Sequence, residues 1–181
     1  IFTLYSSYTA LLHFGFVDGI LLKYGGTDYN RLNKLQMRTD SIFFIIFQIC
    51  VSLLLSLSSL FISNYNTKWL LILLSLNSFF FNVLTYYQFI SQASMRFSEF
   101  SMSKVIQSLL TILFAFSLFI IYKIGLIGRP NFVLYTLLNI LIIFILFTWY
   151  LYRYRSITFG QVYNIFSEIN KLKKLFKIGI Y

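Results

Sequence analysis

The chain has 181 residues, of which 59% are hydrophobic and 21% aromatic, with only 11% charged. Together with a mean hydropathy of +0.78, this excludes an ordinary soluble domain, in which about a quarter of the residues carry charge. A net charge of +10 raises nucleic-acid binding, but that requires a basic face on a soluble fold. The cations here lie between apolar stretches, so no nucleic-acid partner is expected.

Five apolar stretches follow one another at 1–22, 41–63, 69–91, 105–124 and 132–152. A hydrocarbon core about 30 Å thick takes roughly 20 helical residues to cross, so each stretch is expected to span. The expected fold class is all-α, a polytopic transmembrane helix bundle of five spans with an amphipathic segment at 153–177. The polar turn at 64–67 and the Gly- and Pro-containing connection at 125–131 are short, which makes consecutive helices antiparallel neighbours.

Charge placement gives the expected orientation. Segments 23–40, 92–104 and 153–181 hold four, two and six basic residues, twelve of the fifteen, whereas the other connections hold only Lys68, Lys123 and Arg129. By the positive-inside rule the three rich segments are cytoplasmic, as is the C-terminal end, in a plasma membrane. Ile1 is not an initiator methionine and no signal-peptide pattern precedes it. The chain therefore reads as part of a longer protein, and Lys177-Ile-Gly-Ile-Tyr181 reads equally as the start of a sixth span.

Polar residues inside the spans recur at helical spacing. The first span carries Thr3, Ser6, Ser7, Ala10 and His13 on one face, the second carries Gln48, Ser52, Ser56, Ser59 and Ser63, and the third carries Ser75, Ser78, Asn82, Thr85 and Gln92. Lipid disfavours such stripes. They are expected either to pack against another helix or to line a hydrated cavity, with Ser75, Ser78, Asn82, Thr85 and His13 as the candidate cavity-lining residues. Beyond the last span, 156–177 reads as an amphipathic helix with Phe159, Val162, Tyr163, Phe166, Ile169, Leu172 and Phe176 on one face and a lysine cluster near its end. It is expected either to rest on the membrane surface and gain from anionic lipid headgroups or to be a plain linker.

Catalytic patterns are missing. One histidine, one cysteine (Cys50), no metal-ligand spacing and no phosphate-cradling glycine loop give no reason to expect an enzyme, a cofactor or a metal. Asp18 stands inside the first span near its inner end, and an intramembrane carboxylate is a functional candidate by default. It serves either as an ion or proton site or as half of an ion pair, with Lys23 one turn away as its local partner.

Two segments carry a family resemblance. Phe14-Gly-Phe-Val-Asp-Gly-Ile-Leu-Leu-Lys-Tyr-Gly-Gly26 joins the first span to the first basic connection, and Tyr87-Gln-Phe-Ile-Ser-Gln-Ala-Ser-Met-Arg-Phe-Ser-Glu-Phe-Ser101 leads from the third span into the second. With the order of spans, they resemble the N-terminal half of polysaccharide biosynthesis membrane proteins, the O-antigen and capsule type of lipid-linked oligosaccharide flippase, in the superfamily that includes multidrug exporters. The resemblance implies two six-helix lobes around a cavity that opens alternately to each side, with this chain as most of the first lobe. The implied partners are a polyprenyl diphosphate-type lipid-linked oligosaccharide and membrane lipids. Asp18, Lys23 and Arg96 become the candidate inner-gate or headgroup contacts, with an Asp18–Arg96 ion pair across the gate. The local alternative pairs Asp18 with Lys23 and Arg96 with Glu99. A cation-coupled drug exporter and a non-transporting scaffold are the competing readings; a membrane glycosyltransferase is disfavoured by the short outer connections.

Overall fold

The computed structural model describes residues 11–126, 128, 132–164, 168 and 172–177. These residues form a helical bundle: α1 (Phe16–Tyr24), α2 (Lys34–Ser58), α3 (Tyr65–Ala93), α4 (Phe97–Lys123), α5 (Phe132–Arg153) and the short α6 (Arg155–Thr158). Residues 172–177 are helical again. Among the described residues, four helices are long and apolar enough to cross a membrane: α2 with its terminal 3-10 turn, α3, α4 and α5.

Local chemistry sets the helix limits. Asn33 and Asn64 precede α2 and α3, and their side chains accept from Gln36 N and Thr67 N, filling one of the donors that a helix start leaves open. α3 stops at Met95, which turns left-handed at φ 59 while Arg96 N donates back to Ser91 O over 2.8 Å, a closed helix end of the Schellman type. α4 begins two residues later. The basic connection expected across 92–104 is therefore helical almost throughout, because α3 and α4 continue beyond their apolar stretches. Gly125 ends α4 in the same way, at φ 78 with Leu126 N on Ile121 O.

The first expected span is not one helix over its described part. Residues 12–15 form a turn in which Phe14 and Gly15 take φ 50 and 74, and α1 is only nine residues long, too short to cross a bilayer. Gly15 tolerates the left-handed backbone that breaks the run, and the His13 imidazole Nδ1 accepts from its amide over 3.2 Å. The polar face expected at Thr3, Ser6, Ser7 and Ala10 lies outside the described residues.

The amphipathic helix expected over 156–177 is also interrupted. Arg38 Nε takes the Ser156 carbonyl at 2.7 Å, a carbonyl that a continuing helix needs for itself, and Tyr163 N donates to Thr39 Oγ1 at 3.0 Å. The chain is thus tied against α2 after α6. Residues 172–177 then enter the bundle instead of lying on its surface: Leu172 and Leu175 are buried, and the Phe176 ring stands 5.0 Å from Phe16 and 5.1 Å from Phe47. Phe166 and Ile169 lie outside the described residues.

α3 is the central helix, in contact with α1, α2, α4 and α5. Its buried residues run from Leu74 to Ala93, toward the end shared with the basic connections. There Phe16, Phe44, Tyr86, Tyr87, Tyr150 and Tyr154 form the largest part of the core. α4 lies at the edge and buries only Ser103.

Close approach at Gly19 fixes how residues 172–177 seat. A Cβ placed there meets the Leu175 backbone carbonyl, which cannot swing aside as a side-chain tip can. Gly to Ala inside a helix ordinarily stabilises by about 1 kcal/mol. Here Gly19→Ala is expected to lower the melting temperature of the detergent-solubilised protein, with an overpacking cost of about 1–3 kcal/mol. Gly128→Ala, where nothing lies within 4 Å, is the control and is expected to leave it unchanged.

Candidate functional site

Two carboxylates organise the basic end of the bundle. Asp40, in the second turn of α2, has a side chain with no solvent exposure. Its Oδ2 accepts from Lys23 Nζ and from the Tyr24 hydroxyl, each at 2.6 Å, and its Oδ1 accepts from Gln36 Nε2 at 3.3 Å. Lys23 and Tyr24 are consecutive at the end of α1, so a single ion pair and its flanking hydroxyl lock α1 onto α2. Burial, followed by the negative charge of Asp40, pushes the Tyr24 phenol well above its ordinary range, so it acts as a donor.

Glu99, in the first turn of α4, forms the second centre. Its Oε1 accepts from Arg153 Nε and Nη2 at 3.0 and 2.9 Å and from Arg96 Nη1 at 3.3 Å, and its Oε2 accepts from the Tyr154 hydroxyl at 2.8 Å. The Arg96 guanidinium lies over the Tyr29 ring, 3.8 Å from its centre, a cation–π contact. Tyr29 in turn meets Ser156 Oγ through its hydroxyl at 2.8 Å and packs edge-on to Tyr154. Burial and the bond to Glu99 raise the Tyr154 phenol far above its ordinary range.

A run of rings connects the two centres. Phe16 stacks on Phe44 and Phe44 on Tyr86, both at 5.0 Å, and Tyr86, Tyr87, Tyr150 and Tyr154 continue the series to Tyr29 and Arg96. Each such pair contributes about 0.5–1.5 kcal/mol beyond its buried area.

The predicted gate residues sit in this region with other partners. Lys23 pairs with Asp40 and Arg96 with Glu99, while Asp18, its side chain 46% exposed, faces His13 with Nδ1 and Oδ2 3.9 Å apart. Neither the Asp18–Arg96 pair nor the local Asp18–Lys23 pair forms. The cause is depth: Asp40 is fully buried, so it gains far more from the Lys23 ammonium than half-exposed Asp18 does. Asp40 is not singled out by the sequence, whereas the Arg96–Glu99 pair is the local alternative expected above and forms at 3.3 Å. The available signals were Gln36 and Asp40 at i, i+4 on the helix that leads into an apolar span, and Arg96 and Glu99 at i, i+3.

The polar stripe of α3 is taken up by neighbouring helices. Asn82 Nδ2 donates to Gln48 Oε1 at 3.0 Å, and Gln48 Nε2 donates to Leu12 O, also at 3.0 Å, at the break in the first span. Asn82 also reaches Ser78 Oγ at 3.4 Å, and Ser52 Oγ donates to Ser75 O at 2.9 Å. Thr85 bonds back to Phe81 O within its own helix. On the opposite side, Asn139 of α5 donates to Asn77 at 3.1 Å. Ser75, Ser78 and Asn82 are buried and Thr85 is half-buried, and the bonds from Asn82 to Gln48 and from Ser52 to Ser75 tie this stripe to α2. A small cavity of about 20 Å³ lies between α4 and α5, walled by Thr111, Phe114, Tyr135, Asn139 and Ile142 among others. It has room for a single water. Among the described residues, no group of His, Cys, Asp or Glu has a metal-binding arrangement.

Comparison with known protein families, with curated proteins and with solved structures finds no match.

Two measurements follow. Lys23→Met, which leaves the buried Asp40 carboxyl without its cation, is expected to cost about 3 kcal/mol of unfolding free energy in mixed micelles, whereas Asp18→Asn changes it by well under about 1 kcal/mol. Equal effects at the two sites would refute the Asp40 pairing. In a double-mutant cycle, Gln48→Leu and Asn82→Leu are expected to couple by about 0.6–1.7 kcal/mol, the range of interhelical hydrogen bonds in membranes.

Proposed function

We propose that this chain forms most of one lobe of a plasma-membrane transporter that moves a lipid-linked oligosaccharide of the polyprenyl diphosphate type across the bilayer for surface polysaccharide synthesis. The observation that carries the reading is spatial. The two segments on which the flippase resemblance rests, separated by some sixty residues in sequence, meet at the basic end: Gly26 N donates to Ala93 O at 3.2 Å, and Arg96 of the second segment covers Tyr29 just beyond the first. Lys23 and Arg96 stand there as cations held by carboxylates. A phosphate arriving at the rim competes for them with Asp40 and Glu99, and exchange of partner is the kind of discrete charge rearrangement that opens and closes a gate.

In this reading the basic end faces the cytoplasm. Cysteines introduced by Thr67→Cys and Gly128→Cys are expected to label from outside, and those from Asn33→Cys, Ser98→Cys and Tyr163→Cys only from inside. Outside labelling at residue 33 reverses the orientation and removes the reading with it.

The bonded stripe between α2 and α3 favours one rival, a non-transporting scaffold, since its polar groups are already used in packing. Loss of the encoding gene separates the candidates. A flippase leaves lipid-linked oligosaccharide accumulated on the cytoplasmic leaflet, a drug exporter produces drug sensitivity without that accumulation, and a scaffold produces neither.

A further inference from the structure

The break in the first expected span has a second backbone state close at hand. In a continuous helix Leu12 O would accept from Phe16 N. Here Phe16 N bonds one residue short, to His13 O at 3.0 Å, and Leu12 O accepts from Gln48 Nε2 of α2, also at 3.0 Å. Phe14 carries the cost: its φ of 50 is left-handed backbone, which a residue with a Cβ populates about five- to thirtyfold less readily. The turn therefore needs contacts that hold it, and one of them comes from the single histidine of the chain.

His13 Nδ1 accepts from Gly15 N at 3.2 Å, and among the described residues that amide has no other acceptor. An imidazole nitrogen that accepts carries no hydrogen, so His13 is neutral in this arrangement with its proton on Nε2. A second proton occupies the Nδ1 lone pair. The Gly15 amide then faces another donor, and the acceptor within reach becomes the half-exposed Asp18 carboxylate, whose Oδ2 is 3.9 Å from Nδ1. Asp18 is also the charge that acts on the ring. Beside the turn α2 presents Phe47 and Gln48, while its charges, Lys34, Arg38 and Asp40, all lie in its first two turns. Lys23 of α1 is engaged by Asp40, and the exposed Lys173, Lys174 and Lys177 make no electrostatic contact with His13.

We propose that His13 is a proton-operated latch on this break: when neutral it pins the left-handed turn at Phe14 and Gly15, and when protonated it turns to Asp18 and releases the turn. The proton comes from water, and the charge of the His13–Asp18 pair goes from −1 to 0 with no covalent change besides. Release lets Leu12 O return to Phe16 N, which frees the Gln48 amide that links the break to Asn82 of α3. A histidine changes charge between about pH 5 and 8, so the latch works within that window. The inference does not rest on the transport reading.

The test uses the full chain in detergent micelles, free of any histidine tag and labelled with nitrogen-15 in histidine and glycine. At about pH 8 the imidazole is expected to show hydrogen on Nε2 alone, with a scalar coupling from Gly15 N to Nδ1 across the bond; at about pH 5 both ring nitrogens carry hydrogen and the coupling is lost. Nitroxides attached after Leu11→Cys and Leu22→Cys, both exposed positions, in a Cys50→Ser background follow the chain itself. Acidification is expected to raise the population with an altered distance by about fivefold, the worth of one hydrogen bond. In His13→Asn the side-chain oxygen accepts an amide two residues on at any pH, so the turn holds and the change disappears. Asp18→Asn, which removes the attracting carboxylate, moves the change to lower pH. Hydrogen on Nδ1 at about pH 8, or a distance distribution that stays constant across the titration, overturns the proposal in the wild type without recourse to any variant. A response that survives His13→Asn overturns it too and assigns the titration to another group.

Discussion

A carboxylate buried in a mostly apolar bundle must find a cation and further donors or it does not stay charged. Asp40 and Glu99 meet that demand in parallel ways, each with basic side chains and a tyrosine hydroxyl. The donors come from other elements. Asp40 on α2 draws in the end of α1, and Glu99 on α4 draws in Arg153 and Tyr154 at the end of α5. Four elements are thereby held in register at one end, where the connections are also richest in charge. Replacing a buried pair by well-packed apolar side chains is often neutral or stabilising, so the value of these pairs lies in specifying which helix ends meet. Raw stability comes from burial.

The aromatic series between the two centres makes that register stiff. Rings packed from Phe176 through Phe16 to Tyr154 interlock within a core that also holds Val17, Ile20, Met37, Leu84 and Ile90. Several of these rings are tyrosines whose hydroxyls also bond: Tyr86 to Ser41, Tyr87 to Thr158 and Tyr29 to Ser156. Each ring thus packs along its face and reports its depth through its tip. A polar group at the tip cannot be displaced without losing a buried hydrogen bond.

Hydropathy and spacing sufficed for the class of fold and for the four long helices, because length and apolarity are properties of a contiguous run. The broken first span was harder to read. Its interruption depends on left-handed backbone at Phe14 and Gly15 and on a carbonyl at Leu12 that Gln48 supplies with a donor from another helix. The terminal segment failed for a related reason. Its periodicity describes one apolar face, of which Leu172 and Phe176 meet the interior near Gly19 while Phe159, Val162 and Tyr163 stay exposed. Charge pairing was legible only over short range. Arg96 with Glu99 is visible at i, i+3, but Lys23 with Asp40, seventeen residues apart, needs the fold of the intervening turn.

The edge position of α4 has a mechanical consequence. Among the described residues its side-chain bonds to other helices, the Glu99 centre and the bond from Gln88 to Ser103, fall within its first two turns, while the rest is held by partly buried apolar side chains, among them Ile106, Leu110 and Phe114. A rod of 27 residues is about 40 Å long. Pivoting about its base by only about 10° carries the far tip through about 7 Å, a displacement larger than one helical turn. A helix fastened by charge at one end and only by apolar contact along the rest would carry any change of angle at that base to the opposite face.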